Sequence, residues 1–111
     1  MSVYDKAHEL TKALQDSEEA KELSAALQAA RSNPEAKRMM DDFRGKQSVL
    51  QQKMAAGEQP SPSDVEMMDS LYKQVNQNPL LQRAFDAERK FSVVFEDVTR
   101  IVTESLRDIM E

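Results

Sequence analysis

The segment QNPLLQRAFDAERKFSVVFEDVTRIVTESL, residues 77–106, is the longest stretch of the chain that is typical of one uninterrupted helix. Pro79 begins this helix, and neither glycine nor proline follows it. Apolar residues recur along it at spacings of three and four, which is the period of an amphipathic helix. At ~1.5 Å per residue, a helix from Pro79 to near the C-terminus would be roughly 45–48 Å long. We therefore predict an all-α fold organised around a long C-terminal helix.

The apolar band of this helix is wider than the two-position seam of a coiled coil. One edge can pack inside the chain while the other meets a second molecule, because a chain of 111 residues cannot easily cover so long a helix on all sides. Small domains also gain stability from association, since they bury little surface on their own. We predict a homodimer with an interface on this helix. The predicted interface residues are Phe91, Phe95, Val98, Val102, Leu106 and Ile109.

Asn78 and Pro79 stand at the start of this helix, and the same pair occurs 45 positions earlier as Asn33 and Pro34, within SNPEAKRMM. A residue that precedes proline is pushed out of the α region. Asparagine caps helix N-termini well, and proline at the first helical position loses no needed hydrogen bond. Each pair therefore predicts the end of one helix and the start of the next, which gives two helix–Asn-Pro–helix units.

Residues 19–50 and residues 64–95 share more than the Asn-Pro pair. At the same offset of 45, Leu23 matches Met68, and several other apolar and charged positions also correspond. The match indicates a repeated two-helix unit, but the common period of amphipathic helices explains much of it, so a true duplication stays open. Two arrangements of each unit are also open: an antiparallel hairpin, or a modest bend at the Asn-Pro pair.

The first two helices are predicted from the same kinds of signal. The first runs from about Val3 to Gln15. Its apolar stripe consists of Ala7, Leu10 and Leu14. Asp16 with Glu19 has the form of a capping box that would start the second helix, and Ser17 is the competing cap, so the sequence leaves two alternatives. The predicted buried face of the second helix consists of Leu23, Ala26, Leu27 and Ala30.

The third helix is predicted to begin at Pro34 and to stop at Gly57, since glycine suits the left-handed conformation that often ends helices. The loop GEQPSPS begins at the same glycine. After it, Ser63 with Glu66 has the spacing of a capping box and predicts the start of a fourth helix. The sequence thus predicts a helical bundle of about five helices, in a single domain that covers residues 1–111.

The composition argues against several classes of function. With a net charge of −5, Lys and Arg are interleaved among Asp and Glu, so no basic stripe emerges for direct nucleic-acid binding. The absence of cysteine excludes disulfides, thiolate metal sites and a cysteine nucleophile. The N-terminal MSVYDKAHEL lacks the apolar run of a signal peptide, and no apolar stretch is long enough to span a membrane. We expect a soluble cytoplasmic protein.

Candidate catalytic and metal-binding residues are few. His8 is the only histidine, and no serine motif supplies it with a nucleophile, so we interpret it as a polar helix residue. A di-metal site in a helical bundle needs Glu-x-x-His on two helices, and that motif does not occur. Acidic pairs such as Asp41–Asp42 and Glu96–Asp97 have bases three or four residues away, which is typical of solvated ion pairs. We predict no catalytic, metal-binding or cofactor-binding residue, and no enzyme activity.

The seven methionines include two adjacent pairs, Met39–Met40 and Met67–Met68. Methionine is unbranched and adaptable, and it is used both in irregular cores and on promiscuous binding surfaces. Two interpretations therefore stand: ordinary core packing, or a groove that accepts a partner helix.

Three segments resemble one family of small bacterial helical proteins. They are VYDKAHELTKALQDSEEAKEL, which starts at Val3, NPEAKRMMDDFRGKQSVLQQKMAAGE, which starts at Asn33, and NPLLQRAFDAERKF, which starts at Asn78. Together they resemble the YlbF/YmcA-like family, and its YheA-like branch most. The best pointers are packing and capping positions. They are Tyr4-Asp5, Ser17-Glu18-Glu19, Phe43-Arg44 followed by Gln47, and Gly57-Glu58.

The resemblance implies an all-α cytoplasmic protein that is dimeric and has a regulatory or adaptor role. It also implies a link to an RNA-processing nuclease and to competence, sporulation and biofilm formation, which better-known members affect. Some members have cysteines tied to an iron–sulfur cluster, and this cofactor does not carry over to a chain without cysteine. Ala20 stands where relatives typically have an aromatic residue, so a contact at that position does not carry over either.

We therefore predict a non-enzymatic helical interaction or adaptor protein that self-associates and regulates another protein. The predicted partners are a second copy of the chain and a protein whose identity the sequence does not give. No nucleic acid, membrane or cofactor is predicted as a partner. The alternative is a small-ligand or metal-binding helical protein.

Overall fold

The fold of this protein, described here for residues 2–110 from a computed structural model, consists of α-helices joined by short turns. The helices of the described residues are α1 (Val3–Gln15), α2 (Glu18–Arg31), α3 (Pro34–Ala55), α4 (Pro62–Asn76), α5 (Pro79–Ser105) and α6 (Arg107–Met110). No strand occurs within this range. The predicted all-α class, with about five helices and a long C-terminal helix, is confirmed.

Side-chain caps fix the start of the first two helices. The Ser2 hydroxyl accepts a hydrogen bond from the Asp5 N–H at 3.1 Å, and the Asp5 carboxylate accepts one from the Ser2 N–H at 3.3 Å. At α2, the Ser17 hydroxyl accepts from the Ala20 N–H at 3.1 Å. Asp16 is instead the C-terminal cap of α1. The structure thus decides between the two alternatives at α2 in favour of Ser17.

Both Asn-Pro pairs act as predicted, each as the N-terminal cap and first residue of a helix. Asn33 Oδ1 accepts a hydrogen bond from the Ala36 N–H at 3.0 Å. Asn78 Oδ1 accepts from the N–H groups of Leu80 and Leu81, at 3.0 and 3.3 Å. These bonds satisfy N–H groups that have no partner inside the helix.

The capping box predicted for α4 at Ser63 and Glu66 is wrong. Pro62 is the first residue of α4, so Ser63 already lies inside the helix. Ser61 has the extended conformation that a residue before proline prefers, and its hydroxyl accepts from the Asp64 N–H at 3.1 Å. The Asp64 carboxylate accepts from the Ser61 N–H at 3.1 Å in return. Ser-Pro therefore works here as Asn-Pro does at the other two helices.

This correction predicts different costs for two serines that lie two residues apart. Ser61→Ala should lower the free energy of unfolding by about 0.5–2 kcal/mol, because alanine cannot accept the hydrogen bond of the cap. Ser63→Ala should change it far less, since that residue lies inside α4. Urea denaturation of the two variants beside the unchanged protein measures both values. A larger loss for Ser63→Ala than for Ser61→Ala would contradict this assignment.

The last long helix is shorter than predicted. α5 ends at Ser105 and Leu106 lies in a turn, so at ~1.5 Å per residue the helix is roughly 40 Å long instead of 45–48 Å. Near this end, the hydroxyls of Thr103 and Ser105 donate to carbonyls four residues earlier, at 2.9 and 2.7 Å. Such side-chain hydrogen bonds compete with the backbone hydrogen bonds of the helix and often bend it. The Leu106 N–H bonds the carbonyl three residues back, at 3.2 Å, which tightens the last turn.

Two compact units share the chain. The central unit comprises Gln28–Arg83, and the terminal unit comprises residues 2–27 and 84–110. In the central unit, α3 and α4 pack as an antiparallel pair. Lys53 Nζ lies 3.3 Å from Asp64 Oδ2 near the loop, and the rings of Phe43 and Tyr72 meet farther along, edge to face, with centroids 5.2 Å apart.

The loop between α3 and α4 contains Gly57, which has φ +85°. This left-handed conformation is strained for residues with a Cβ atom, so glycine is the residue that suits the position, as the sequence predicts. The hairpin of α3 and α4 therefore turns at the loop that contains Gly57. Its two helices belong to different copies of the proposed repeat.

Buried residues recur at the offset of 45 that the sequence suggested. The buried pairs are Ala26 with Leu71, Ala30 with Val75, and Ala36 with Leu81. The second copy places a larger side chain at each of these positions. The two copies thus use equivalent buried positions, while a true duplication stays a prediction.

Candidate interaction surface

The two units of the chain differ in what they bury. In the central unit, the buried residues include large apolar side chains. They are Ala30, Ala36, Met40, Phe43, Leu71, Val75 and Leu81. In the described part of the terminal unit, the buried residues are three alanines. They are Ala26, Ala84 and Ala87. Alanine buries little apolar area, and larger apolar side chains of this unit such as Leu23 and Phe91 are only half-buried.

The predicted interface residues lie at the surface of the terminal unit. We define the α5 face as the residues that recur along α5 and the turn after it at spacings of four, three, four and four. They are Phe91, Phe95, Val98, Val102 and Leu106. Phe95 is 54% exposed and Val102 is 44% exposed, while Phe91 and Val98 are half-buried. The sixth predicted residue, Ile109, lies in α6 and is 80% exposed. The structure therefore leaves these side chains accessible.

Val93 marks the other side of α5. It precedes Val102 by nine residues, which is about two and a half turns, so the two valines lie on opposite sides of the helix. Val93 is 52% exposed. Because the two valines are almost equally exposed, they form a matched pair for testing which side of the helix is used.

α1 presents a second apolar surface in the same unit. The sequence predicts the stripe of Ala7, Leu10 and Leu14, but it does not predict what covers this stripe. α1 contains no buried residue, Leu10 is 41% exposed, and Val3 is 82% exposed. Helical period shows that a stripe exists, but it does not show whether the same chain or another molecule covers it.

The charged side chains form solvated ion pairs, as the sequence predicts. Lys37 Nζ lies 2.8 Å from Asp41 Oδ2, along one exposed helix face. At Arg100 the ion pair differs from the predicted one, because Arg100 pairs with Asp97 at 2.9 Å rather than with Glu96. His8 is exposed on α1, in keeping with its interpretation as a polar helix residue. Within residues 2–110, no group of three or more His, Asp or Glu side chains is arranged to hold a metal ion.

A cleft of about 410 Å³ opens between α3 and α4 in the central unit. Met67 and Val49 line it together with the Lys53–Asp64 ion pair. Met40 is buried in the core. Met40 thus belongs to core packing and Met67 lines this cleft, while a groove that accepts a partner helix stays a prediction.

Asp64 is the titratable group of this cleft with a perturbed pKa. The N–H of Ser61 donates to its carboxylate, which lowers the pKa of Asp64 below the ordinary value of 3.8; burial opposes this effect, and the nearby Lys53 ammonium adds to it. A group with a lowered folded-state pKa stabilises the fold above its unfolded-state pKa. That stability is lost as the pH falls through the lowered value. The cap and the ion pair explain the shift, so it gives Asp64 a structural role.

No helix within the described residues combines the length and apolar character needed to cross a lipid bilayer.

Comparison with known proteins identifies the relatives of this chain. Residues 3–107 match the family described as control of competence regulator ComK, YlbF/YmcA. The chain belongs to the YlbF/YmcA family. It is 36% identical over 108 residues to a UPF0342 protein of Alkalihalophilus pseudofirmus, an alignment that spans 97% of this chain and 92% of the relative. A UPF0342 protein of Staphylococcus epidermidis is 30% identical, with 98% and 96% covered.

Two solved structures have the same fold as this chain. A protein of unknown function (DUF964) from Bacillus stearothermophilus matches with a TM-score of 0.86 and 25% identity, over 96% of this chain and 94% of that one. Bacillus subtilis RicA, solved in complex with RicF, matches with a TM-score of 0.65 and 13% identity, over 98% and 96%. The predicted family resemblance is thus confirmed.

Proposed function

We propose that this member of the YlbF/YmcA family is a non-enzymatic interaction protein that self-associates as a homodimer and regulates another protein. The observation that carries the proposal is the contrast inside the terminal unit. Its buried residues are alanines, while Phe95 and Val102 are about half exposed. Apolar surface of this kind gains free energy when a second molecule covers it, and exposed apolar patches mark interaction sites.

The α5 face supplies the proposed dimer interface. Its residues lie along one side of a helix, as in interfaces where an amphipathic helix lays its apolar face against a partner. The regulatory part of the proposal rests on the family, which is described through control of a competence regulator. RicA, which has the same fold, was solved with a protein partner. The cytoplasmic location predicted from the sequence stays a prediction.

Sedimentation equilibrium of the unchanged protein tests the self-association. The mass should approach twice the 12.6 kDa of one chain as the concentration rises. A mass of one chain at the highest concentration that stays in solution would contradict the proposed homodimer.

A separate experiment tests the regulatory partner. The tagged protein, incubated with native lysate under gentle conditions, should retain a second protein in a fixed molar ratio. Resin that carries the tag without the protein is the control for non-specific capture. Retention of no protein in constant ratio would count against the adaptor role while leaving the homodimer intact.

A further inference from the structure

α1 is a complete helix that has no buried residue. Its 13 residues carry a capping box and an ion pair between Lys6 and Glu9 at 3.1 Å. Such a pair contributes only a few tenths of a kcal/mol. Isolated helices shorter than about 12–15 residues are marginal in water, because most helical stability in proteins comes from packing of an apolar face. Inside its own chain, α1 half-buries Leu14, and its other twelve residues are exposed.

The apolar stripe of α1 lies along one side of the helix, where another apolar surface can pack against it. Leu10 and Leu14 lie one turn apart on one side of the helix, and Val3 extends the same side toward the N-terminus. Leu14 is half-buried, and the other two are exposed. This is the pattern of a helix that packs against an apolar surface along its whole length.

We infer that α1 is part of the homodimer interface, and that the second copy of this chain covers its stripe of Ala7, Leu10 and Leu14 together with Val3. This inference rests on the proposed function, since it extends the interface of the α5 face to a second helix of the terminal unit. Both helices belong to the same compact unit, which comprises residues 2–27 and 84–110.

The area of exposed apolar surface favours a second copy as the occupant. Ten large apolar side chains of this unit are exposed; Val93, on the opposite side of α5, and Met110 are set aside, and eight remain. They are Val3, Tyr4, Leu10, Phe95, Ile101, Val102, Leu106 and Ile109. If each presents roughly 200 Å² when fully exposed, eight that are about half exposed present on the order of 800 Å². A stable interface buries about 800 Å² on each partner. The α5 face alone supplies only part of this area, and α1 supplies much of the rest.

The charge on α1 argues against other classes of occupant. Its polar sides carry two acids and two bases, and both bases are paired: Lys6 with Glu9 at 3.1 Å, and Lys12 with Asp16 at 3.9 Å. A membrane surface or a nucleic acid would require a basic polar face. A strongly charged protein partner would be matched by an excess of the opposite charge. A balanced helix can face its own copy without repulsion and without leaving a buried charge unpaired.

Sedimentation equilibrium of Leu10→Glu beside His8→Glu tests the inference. Each change adds one negative charge to an exposed position of α1, and the two positions lie on opposite sides of the helix, since two residues correspond to about 200°. The homodimer loses two apolar contacts in Leu10→Glu, so its dissociation constant should rise at least about tenfold. His8→Glu should change it by less than about twofold, because its charge falls on the polar side of α1.

A second variant distinguishes unfolding of α1 from loss of the contact that Leu10 makes with the second copy. Leu10→Ala keeps a strong helix former and adds no charge, so it should weaken the dimer in the same direction, with unchanged circular dichroism. Equal dissociation constants for Leu10→Glu, Leu10→Ala and the unchanged protein would overturn the inference.

The outcomes separate this inference from the proposed function. If Val102→Glu dissociates the dimer and Leu10→Glu does not, the inference fails while the α5 interface stands. If Leu10→Glu dissociates it and Val102→Glu does not, the α5 placement fails and the inference stands. A single-chain mass for the unchanged protein at every concentration overturns both.

Discussion

Val102→Glu is expected to convert the homodimer into a folded monomer. Val102 is 44% exposed in the single chain, so a glutamate there remains solvated and the monomer should keep its stability. In the dimer, the same carboxylate would be removed from water beside apolar side chains in both subunits. Burial of an unpaired charge costs several kcal/mol, which exceeds what one apolar contact contributes.

Val93→Glu is the control for this experiment. It makes the same substitution on the same helix, at a residue of similar exposure on the opposite side. Sedimentation equilibrium should show a single-chain mass for Val102→Glu and an unchanged dimer for Val93→Glu. Phe95→Glu should repeat the result of Val102→Glu. Equal association of the two valine variants would show that the α5 face is not the interface.

Leu81→Ala is expected to cause a large loss of stability in the central unit. Leu81 is fully buried, and it lies in the first turn of α5, where its N–H also bonds Asn78. Truncation removes apolar contacts and leaves a cavity, which costs about 2–5 kcal/mol. Whole domains are stable by only about 5–15 kcal/mol. The loss should therefore move the midpoint of unfolding to a clearly lower urea concentration than in the unchanged protein.

Leu80→Ala provides the comparison, because it makes the same change one residue earlier, at a half-buried position. Urea denaturation should give a clearly smaller loss for Leu80→Ala. The two variants keep the same cap at Asn78, so their difference reports packing alone. Equal losses would contradict the assignment of Leu81 to the core of the central unit.

Helix boundaries could be predicted where the sequence contains a local signal. The Asn-Pro pairs and Gly57 act within one turn of the chain, through φ restriction and a single hydrogen bond, so their effects are visible in the residues themselves. The wrong prediction of a cap at Ser63 came from the same kind of local signal. Two overlapping boxes fit the spacing, and the restriction that Pro62 places on Ser61 decides between them.

Surface placement could not be predicted in the same way. The period of α5 identified an apolar band, and the structure shows that Phe95 and Val102 are exposed parts of it. The period of α1 identified a stripe equally well, yet nothing in it distinguished a stripe covered by the same chain from one left open. That distinction depends on contacts between residues far apart in sequence, which local patterns do not contain.

Hydrogen exchange measured at a series of protein concentrations tests the central claim most directly. Peptides from residues 91–106 should exchange more slowly as the mass rises toward two chains. Peptides from α3 should exchange at the same rate throughout, because the central unit contains its own core. Slower exchange in α3 with no change in residues 91–106 would contradict the account.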